Sequence, residues 1–301
     1  MKNGYKPDLR PMVRSLLAAL LLLPFALHAQ RSAQDHLTLA QQAYKADTFE
    51  LALAHADTAI TLDATLPGVY KLRGDIKQKQ RDMHGALMDY TRAAKLEPED
   101  PRLYVSRSAV HISEGRLKEA VRDADIAIGL DAKDADAWYN RACANYIGRN
   151  NEGALRDLER ATKLRPEFAD ALFLRGVVKG EQYKEAGGLV DIEEALRLNP
   201  NIPGGQMSAA VLLFESERYQ EAIARFTIVI DQEDDDLAVA HYYRADCYYH
   251  LEDKENACTD WRLSGELGDK DAQFIVRNYC NTDAETIPKK PMKRRETVIE
   301  F

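Results

Sequence analysis

Arginine and aspartate recur in this chain at a fixed separation. Arg73, Arg107, Arg141, Arg175 and Arg244 are each followed sixteen residues later by an aspartate: Asp89, Asp123, Asp157, Asp191 and Asp260. A planar guanidinium can grip a carboxylate with two parallel hydrogen bonds. The residue types therefore point either to a ladder of arginines that holds an anionic ligand or to an ion pair repeated for structural reasons. Where the arginine is missing, so is the aspartate: Leu39 goes with His55, and Ala209 with Arg225. Joint presence and joint absence favour the structural pair, because a ligand ladder has no need of the matching aspartate.

Other chemistry is scarce. The sequence holds no GxxxxGK[ST], GxSxG, HExxH or CxxC run, and no acid, base and nucleophile converge on one segment. We therefore expect no enzyme and no cofactor. His241 and His250 are nine residues apart, at opposed angles on a helix, which excludes a shared metal. The acidic run DQEDDD (231–236) lacks the glycine and spacing of an EF-hand loop and reads as a solvated loop. Gly187 and Gly188 have no phosphate-loop context.

The elements that must position the arginines follow from a second periodicity. Ala40, Gly74, Ser108, Ala142, Gly176 and Ala210 are 34 residues apart, and Ala245 follows after 35. Twelve residues after each stands Ala52, Ala86, Ala120, Ala154, Gly188, Ala222 or Ala257, and seven further Ala59, Ala93, Ala127, Ala161, Ala195, Val229 or Ser264. Small residues at one height on two antiparallel helices let their backbones approach. Polar turns such as RDMHG, GRLKE and RNNEG break the helix between them, and Pro98, Pro166 and Pro200 stop the second helix.

A 34-residue period with this arrangement resembles the tetratricopeptide repeat family. The resemblance covers repeats at 33–66, 67–100, 101–134, 135–168, 169–202, 203–236 and 238–271, with Leu237 inserted and AQFIVRNYC (272–280) as a capping helix. It implies an all-α fold, a right-handed α-solenoid of about seven helical hairpins over 30–280. Residues 281–301 carry two prolines and the run KKPMKRR, and are expected to be a disordered tail. In repeat numbering the arginine is position 7 and the aspartate position 23. Pairing with the preceding repeat would set Arg244 against Arg225, and pairing with the following one Arg175 against Arg225. Pairing inside a repeat leaves no such orphan, so each arginine is expected to clamp its own hairpin.

The family uses positions 2, 5, 9, 12 and 13 of the first helix to line a peptide-binding groove. From the third repeat onward this stripe turns apolar and aromatic. Tyr139, Tyr146, Phe173, Phe214, Tyr242 and Tyr249 are the residues expected to hold a protein or peptide partner; burial against neighbouring repeats is the alternative for them. Position 9 is never asparagine, so a receptor that clamps a C-terminal carboxylate is not expected.

Residues 1–29 read as a leader. Lys2, Lys6, Arg10 and Arg14 precede the apolar run SLLAALLLLPFAL, and cleavage is expected after Ala29. Losing those four cations and Asp8 moves the net charge from −8 to −11. Such an acidic chain is a poor match for nucleic acid. Export, most simply to the periplasm of a bacterium, with the cell surface as an alternative, suits a scaffold or adaptor that binds a partner segment. A glycan-binding or cell-wall-associated module is the reading from another class, and no stable membrane insertion is expected after cleavage. Export also permits disulfides. Repeats stack in order, so Cys143 is too distant from Cys247, Cys258 and Cys280 to pair with any of them. Cys258, near its turn, and Cys280, at the end of the cap, are the expected bridge.

Overall fold

A computed structural model describes residues 31–182, 184–232 and 237–288. The expected leader, the acidic positions 233–236 and the run from Lys289 onward lie outside the described residues. Among the described residues there are fifteen α-helices and no strand. The chain divides into two compact bodies, one ending at Asp82 and the other starting at Met83. The division falls in the turn of the second repeat.

The N-terminal body holds α1 (Ala33–Lys45), α2 (Phe49–Leu62) and α3 (Val69–Lys79). A capping box starts α1: Ser32 accepts from the Asp35 backbone N–H while Asp35 accepts from that of Ser32. Helices α1 and α2 form a hairpin, and α3 packs on both. Leu37, Ala40, Ala43, Ala52, Ala56 and Ala59 are buried.

The C-terminal body begins with α4 (Met83–Leu96) and continues in five hairpins. These are α5 (Pro101–Ser113) with α6 (Leu117–Leu130), α7 (Ala135–Ile147) with α8 (Asn151–Leu164), α9 (Ala169–Glu181) with α10 (Glu185–Leu198), α11 (Gly205–Glu215) with α12 (Tyr219–Asp231), and α13 (Leu237–His250) with α14 (Lys254–Glu266). A short α15 (Lys270–Ile275) and a π-helical turn (Val276–Cys280) close it. Each second helix also packs on the first helix of the next hairpin, and the first helices of neighbouring hairpins touch one another. The body is a solenoid of hairpins in sequence order, with the first helices along one inner side.

Local chemistry fixes where each helix stops. Among the described residues, the one that follows the cap of a first helix takes a left-handed conformation: Asp47, Arg81, Gly115, Arg149, Glu217 and Glu252 all have φ between 53° and 69°. The next N–H then reaches back five residues, as in Arg116 to His111 O and Asn150 to Asn145 O. That bond satisfies a carbonyl the helix end would otherwise leave open. The periodic small residues sit between the helices: Ser108, Ala120, Ala142, Ala154, Ala210, Ala222, Ala245 and Ala257 are fully buried.

Candidate functional site

The arginines of the C-terminal body sit on the first helices and reach the second helix of their own hairpin. Arg107 Nε and Nη2 donate to the two oxygens of Asp123, both at 2.6 Å. Arg141 holds Asp157 at 2.9 and 2.7 Å, Arg175 holds Asp191 at 2.8 and 2.5 Å, and Arg244 holds Asp260 at 2.7 and 2.8 Å. Each is a bidentate fork on a buried carboxylate. The fifth expected pair, Arg73 with Asp89, straddles the boundary between the two bodies.

The fork uses only part of the guanidinium. The remaining Nη1 points back to the preceding repeat: Arg141 to Asp125 at 2.7 Å, Arg175 to Thr162 at 2.6 Å and Arg244 to Thr227 at 3.0 Å. In the N-terminal body Arg73 Nη1 reaches Asp57 at 2.7 Å in the same way. The arginine therefore ties its own hairpin together and ties it to the one before. Sequence reasoning placed the first tie and missed the second. The signal was present, because Asp57, Asp125 and Thr227 occupy one repeat position ahead of an arginine-bearing repeat.

The aspartates accept further bonds. Lys179 Nζ lies 2.6 Å from Asp191, Asn145 Nδ2 donates to Asp157 at 3.2 Å, and His241 Nδ1 is 2.8 Å from Asp260. Burial pushes the Asp260 carboxyl up, but the bonds from Arg244 and His241 outweigh it and hold it below its ordinary value. Aromatic rings three residues before the arginines cover the guanidinium faces, with Tyr104 at 5.4 Å from Arg107 and Trp138 at 4.8 Å from Arg141. A buried carboxylate with its oxygens already occupied has little left for a ligand, so the seam is structural.

The inner stripe carries the six aromatic residues expected to meet a partner, and the structure divides them. Tyr242 is fully buried and Phe173 nearly so. Both belong to the core, which corrects their assignment to an exposed groove. The reason is tight winding: Phe173 packs with Leu172, Val177 and Met207 across consecutive first helices, and Tyr242 packs with Trp261 and Ile275 of the end cluster. Tyr139, Tyr146, Phe214 and Tyr249 remain partly open. Burial raises the pKa of the Tyr139 hydroxyl, to which the nearby Cys143, Asp170 and Asp136 also contribute. Tyr146 OH donates to Glu181 at 2.7 Å, and Asn151 donates to the other oxygen of that carboxylate at 2.8 Å. Phe214 meets Tyr219, Tyr243 and His250 edge-on, and Tyr219 stacks on His250 with ring centroids 4.7 Å apart. Tyr249 contacts Trp261 and Tyr279.

Cys258 and Cys280 are joined, with Cα atoms 5.5 Å apart. Cys143 is a buried thiol whose pKa burial pushes up to about 12, and Cys247 is buried in the core. The packed chain runs past residue 280. Lys254 Nζ donates to the carbonyls of Thr282 and Ala284, and Ile287 is buried in the end cluster. Residues 281–288, expected as the start of a disordered tail, pack on the end cluster through Ile287 and Ala284.

With this architecture in view, comparison with known proteins gives the class. The tetratricopeptide repeat model matches residues 71–135, 139–178 and 191–261, more than half of the chain, and the chain belongs to that family. No curated protein matches it. Among solved structures it is similar to the C-terminal part of a TPR repeat-containing protein from Cytophaga hutchinsonii, with 16% identity and a TM-score of 0.59 over 79% of this chain and 98% of that one. It is similar to pilF of Pseudomonas aeruginosa, with 22% identity and a TM-score of 0.58 over 68% and 93%. It is also similar to YrrB, described as a TPR protein with an unusual peptide-binding site, with 23% identity and a TM-score of 0.55 over 60% and 92%. Identities this low carry the fold and no more. Among the described residues no helix is long and apolar enough to cross a membrane.

Proposed function

We propose that the protein is an interaction scaffold or adaptor of the bacterial cell envelope that holds an extended or helical segment of a partner along its inner stripe. The observation that carries this reading is the set of partly open aromatic rings on the first helices of the C-terminal body: Tyr139, Tyr146, Phe214 and Tyr249. Rigid rings on a fixed scaffold give large contact area at low entropic cost. Family membership supports a binding role, and YrrB is described as having a peptide-binding site. The reading gives the chain no catalytic role. The envelope location rests on the basic and apolar character of residues 1–29.

Two experiments test it. N-terminal sequencing of the protein from intact cells is expected to start at Gln30 and to find it in the periplasmic fraction. Immobilised protein is expected to retain a defined envelope partner that a Tyr146→Ser/Tyr249→Ser variant loses while keeping its helicity and melting temperature within a few degrees. Capture that survives both substitutions removes the stripe as the site. Retention on a glycan array with no protein captured moves the reading to a cell-wall-binding module.

A further inference from the structure

The seam of these hairpins brings the residue at repeat position 4 against the residue nineteen further on. Gln206 Oε1 accepts from Arg225 Nη1 at 2.9 Å, and His241 Nδ1 lies 2.8 Å from Asp260 Oδ1. The first repeat fills the same slot with two imidazoles: His36 Nδ1 and His55 Nδ1 are 3.2 Å apart, with ring centroids 5.3 Å apart. Leu39 stands where five other repeats carry arginine, so position 7 supplies no guanidinium to this slot. The juxtaposition is therefore imposed by the hairpin and recurs in three repeats. What is particular to this one is that both partners are metal-ligating groups.

Two Nδ1 atoms in contact need a proton or a cation between them. A metal ion at about 2.0–2.1 Å from each nitrogen would see this separation as an N–metal–N angle of about 100°, between a right angle and a tetrahedral one. Imidazole nitrogen suits the late first-row divalent ions, copper most tightly. We propose that His36 and His55 form a two-histidine site for a late first-row divalent metal ion, bound through both Nδ1 atoms, with water completing the coordination shell. On binding, the ring that carried its proton on Nδ1 releases it to water and takes one up on Nε2, so both ligands stay neutral and no net proton is lost. Arg31 is the nearby cation and Asp35 lies close to His36. Among the described residues no group of three or more histidine, cysteine or carboxylate side chains converges on one point. The site is a two-point chelate, weaker than a closed structural metal site.

The test is titration of the untagged full chain with Cu²⁺ alone, followed by electron paramagnetic resonance. The parent is expected to bind one equivalent with the splitting of two imidazole nitrogens. His36→Ala and His55→Ala are each expected to weaken that equivalent at least tenfold, and His84→Ala, at an exposed position on α4, to leave it unchanged. Because an alanine could loosen the hairpin, His55→Gln serves as a second variant. Its amide can still hydrogen-bond His36 but is a poor copper ligand, so binding is expected to fall as far with the fold intact. Equal Cu²⁺ affinity in the parent, His36→Ala and His55→Gln overturns the proposal, as does a spectrum with no imidazole nitrogen.

Discussion

At the scale of single residues, the account rests on buried carboxylates that are fully engaged. Asp157 accepts from Arg141 and Asn145 and is buried. Asp157→Ala would leave the Arg141 guanidinium with only the exposed Asp125 as a carboxylate partner, and a cost of about 3 kcal/mol is expected in urea melts. Glu194→Ala removes an exposed partner of Arg197, and solvent screening should leave stability nearly unchanged. Equal effects from the two substitutions would contradict the clamp. The pH dependence follows from Asp260, whose folded pKa lies below its ordinary 3.8. Its contribution is complete above that ordinary value and is lost as the pH falls through the depressed one. Asp260→Asn should therefore be less stable than the parent at pH 7, with the gap closing below about pH 3.8; a gap that stays constant across the acid range would rule this out. The four pairs of the C-terminal body were legible because presence and absence covary within one chain. The backward arms of Arg141, Arg175 and Arg244 were not read, because a donor that serves two partners leaves only a mixed signal of Asp and Thr.

At the scale of helices, close approach and turn geometry set the tolerances. The hairpin of α9 and α10 meets through Gly176 and Gly188. A Cβ on Gly188 would lie 2.6 Å from the Gly176 carbonyl oxygen and 3.2 Å from Leu212 Cδ1 of the next hairpin. Backbone cannot yield there, so Gly188→Ala should cost about 1–3 kcal/mol. Glu217 shows the opposite case: it holds a left-handed φ of 59° at the turn after α11. Glu217→Gly should raise stability by about 1 kcal/mol, and a melting temperature that falls would mean the Glu217 side chain makes a contact worth more than its backbone strain. The hairpins themselves were readable from the small residues, because large side chains do not fit between backbones this close. Which aromatic rings stay open was not readable. Helical spacing places Phe173, Tyr242, Tyr139 and Tyr249 on one stripe, and only the degree of winding between successive hairpins decides which of them is covered.

At the scale of the molecule, the C-terminal body is a one-dimensional stack whose end must be closed. The Cys258–Cys280 bridge spans 22 residues and holds the cap, with its Ile275, against Trp261, with Ile287 packed on the same cluster. Closing a loop of that size stabilises by about 3 kcal/mol, so Cys280→Ser should lower stability by a similar amount and expose the end cluster to proteolysis first. An unchanged melt would show that packing alone holds the cap. The all-α solenoid of hairpins was legible because a period of 34 is carried by many positions at once; the packed segment at 281–288, held by Ile287, Ala284 and the bonds from Lys254, was not. The central claim is that the inner stripe of this solenoid is where a partner lies. The most direct measurement places a photoreactive residue at position 146 or 249, on the first helices, and at Val190, which is 66% exposed on α10, and crosslinks in an envelope fraction. The account predicts one discrete partner crosslinked from positions 146 and 249 and absent from position 190. The same product from position 190, or a partner crosslinked from position 190 alone, would contradict it.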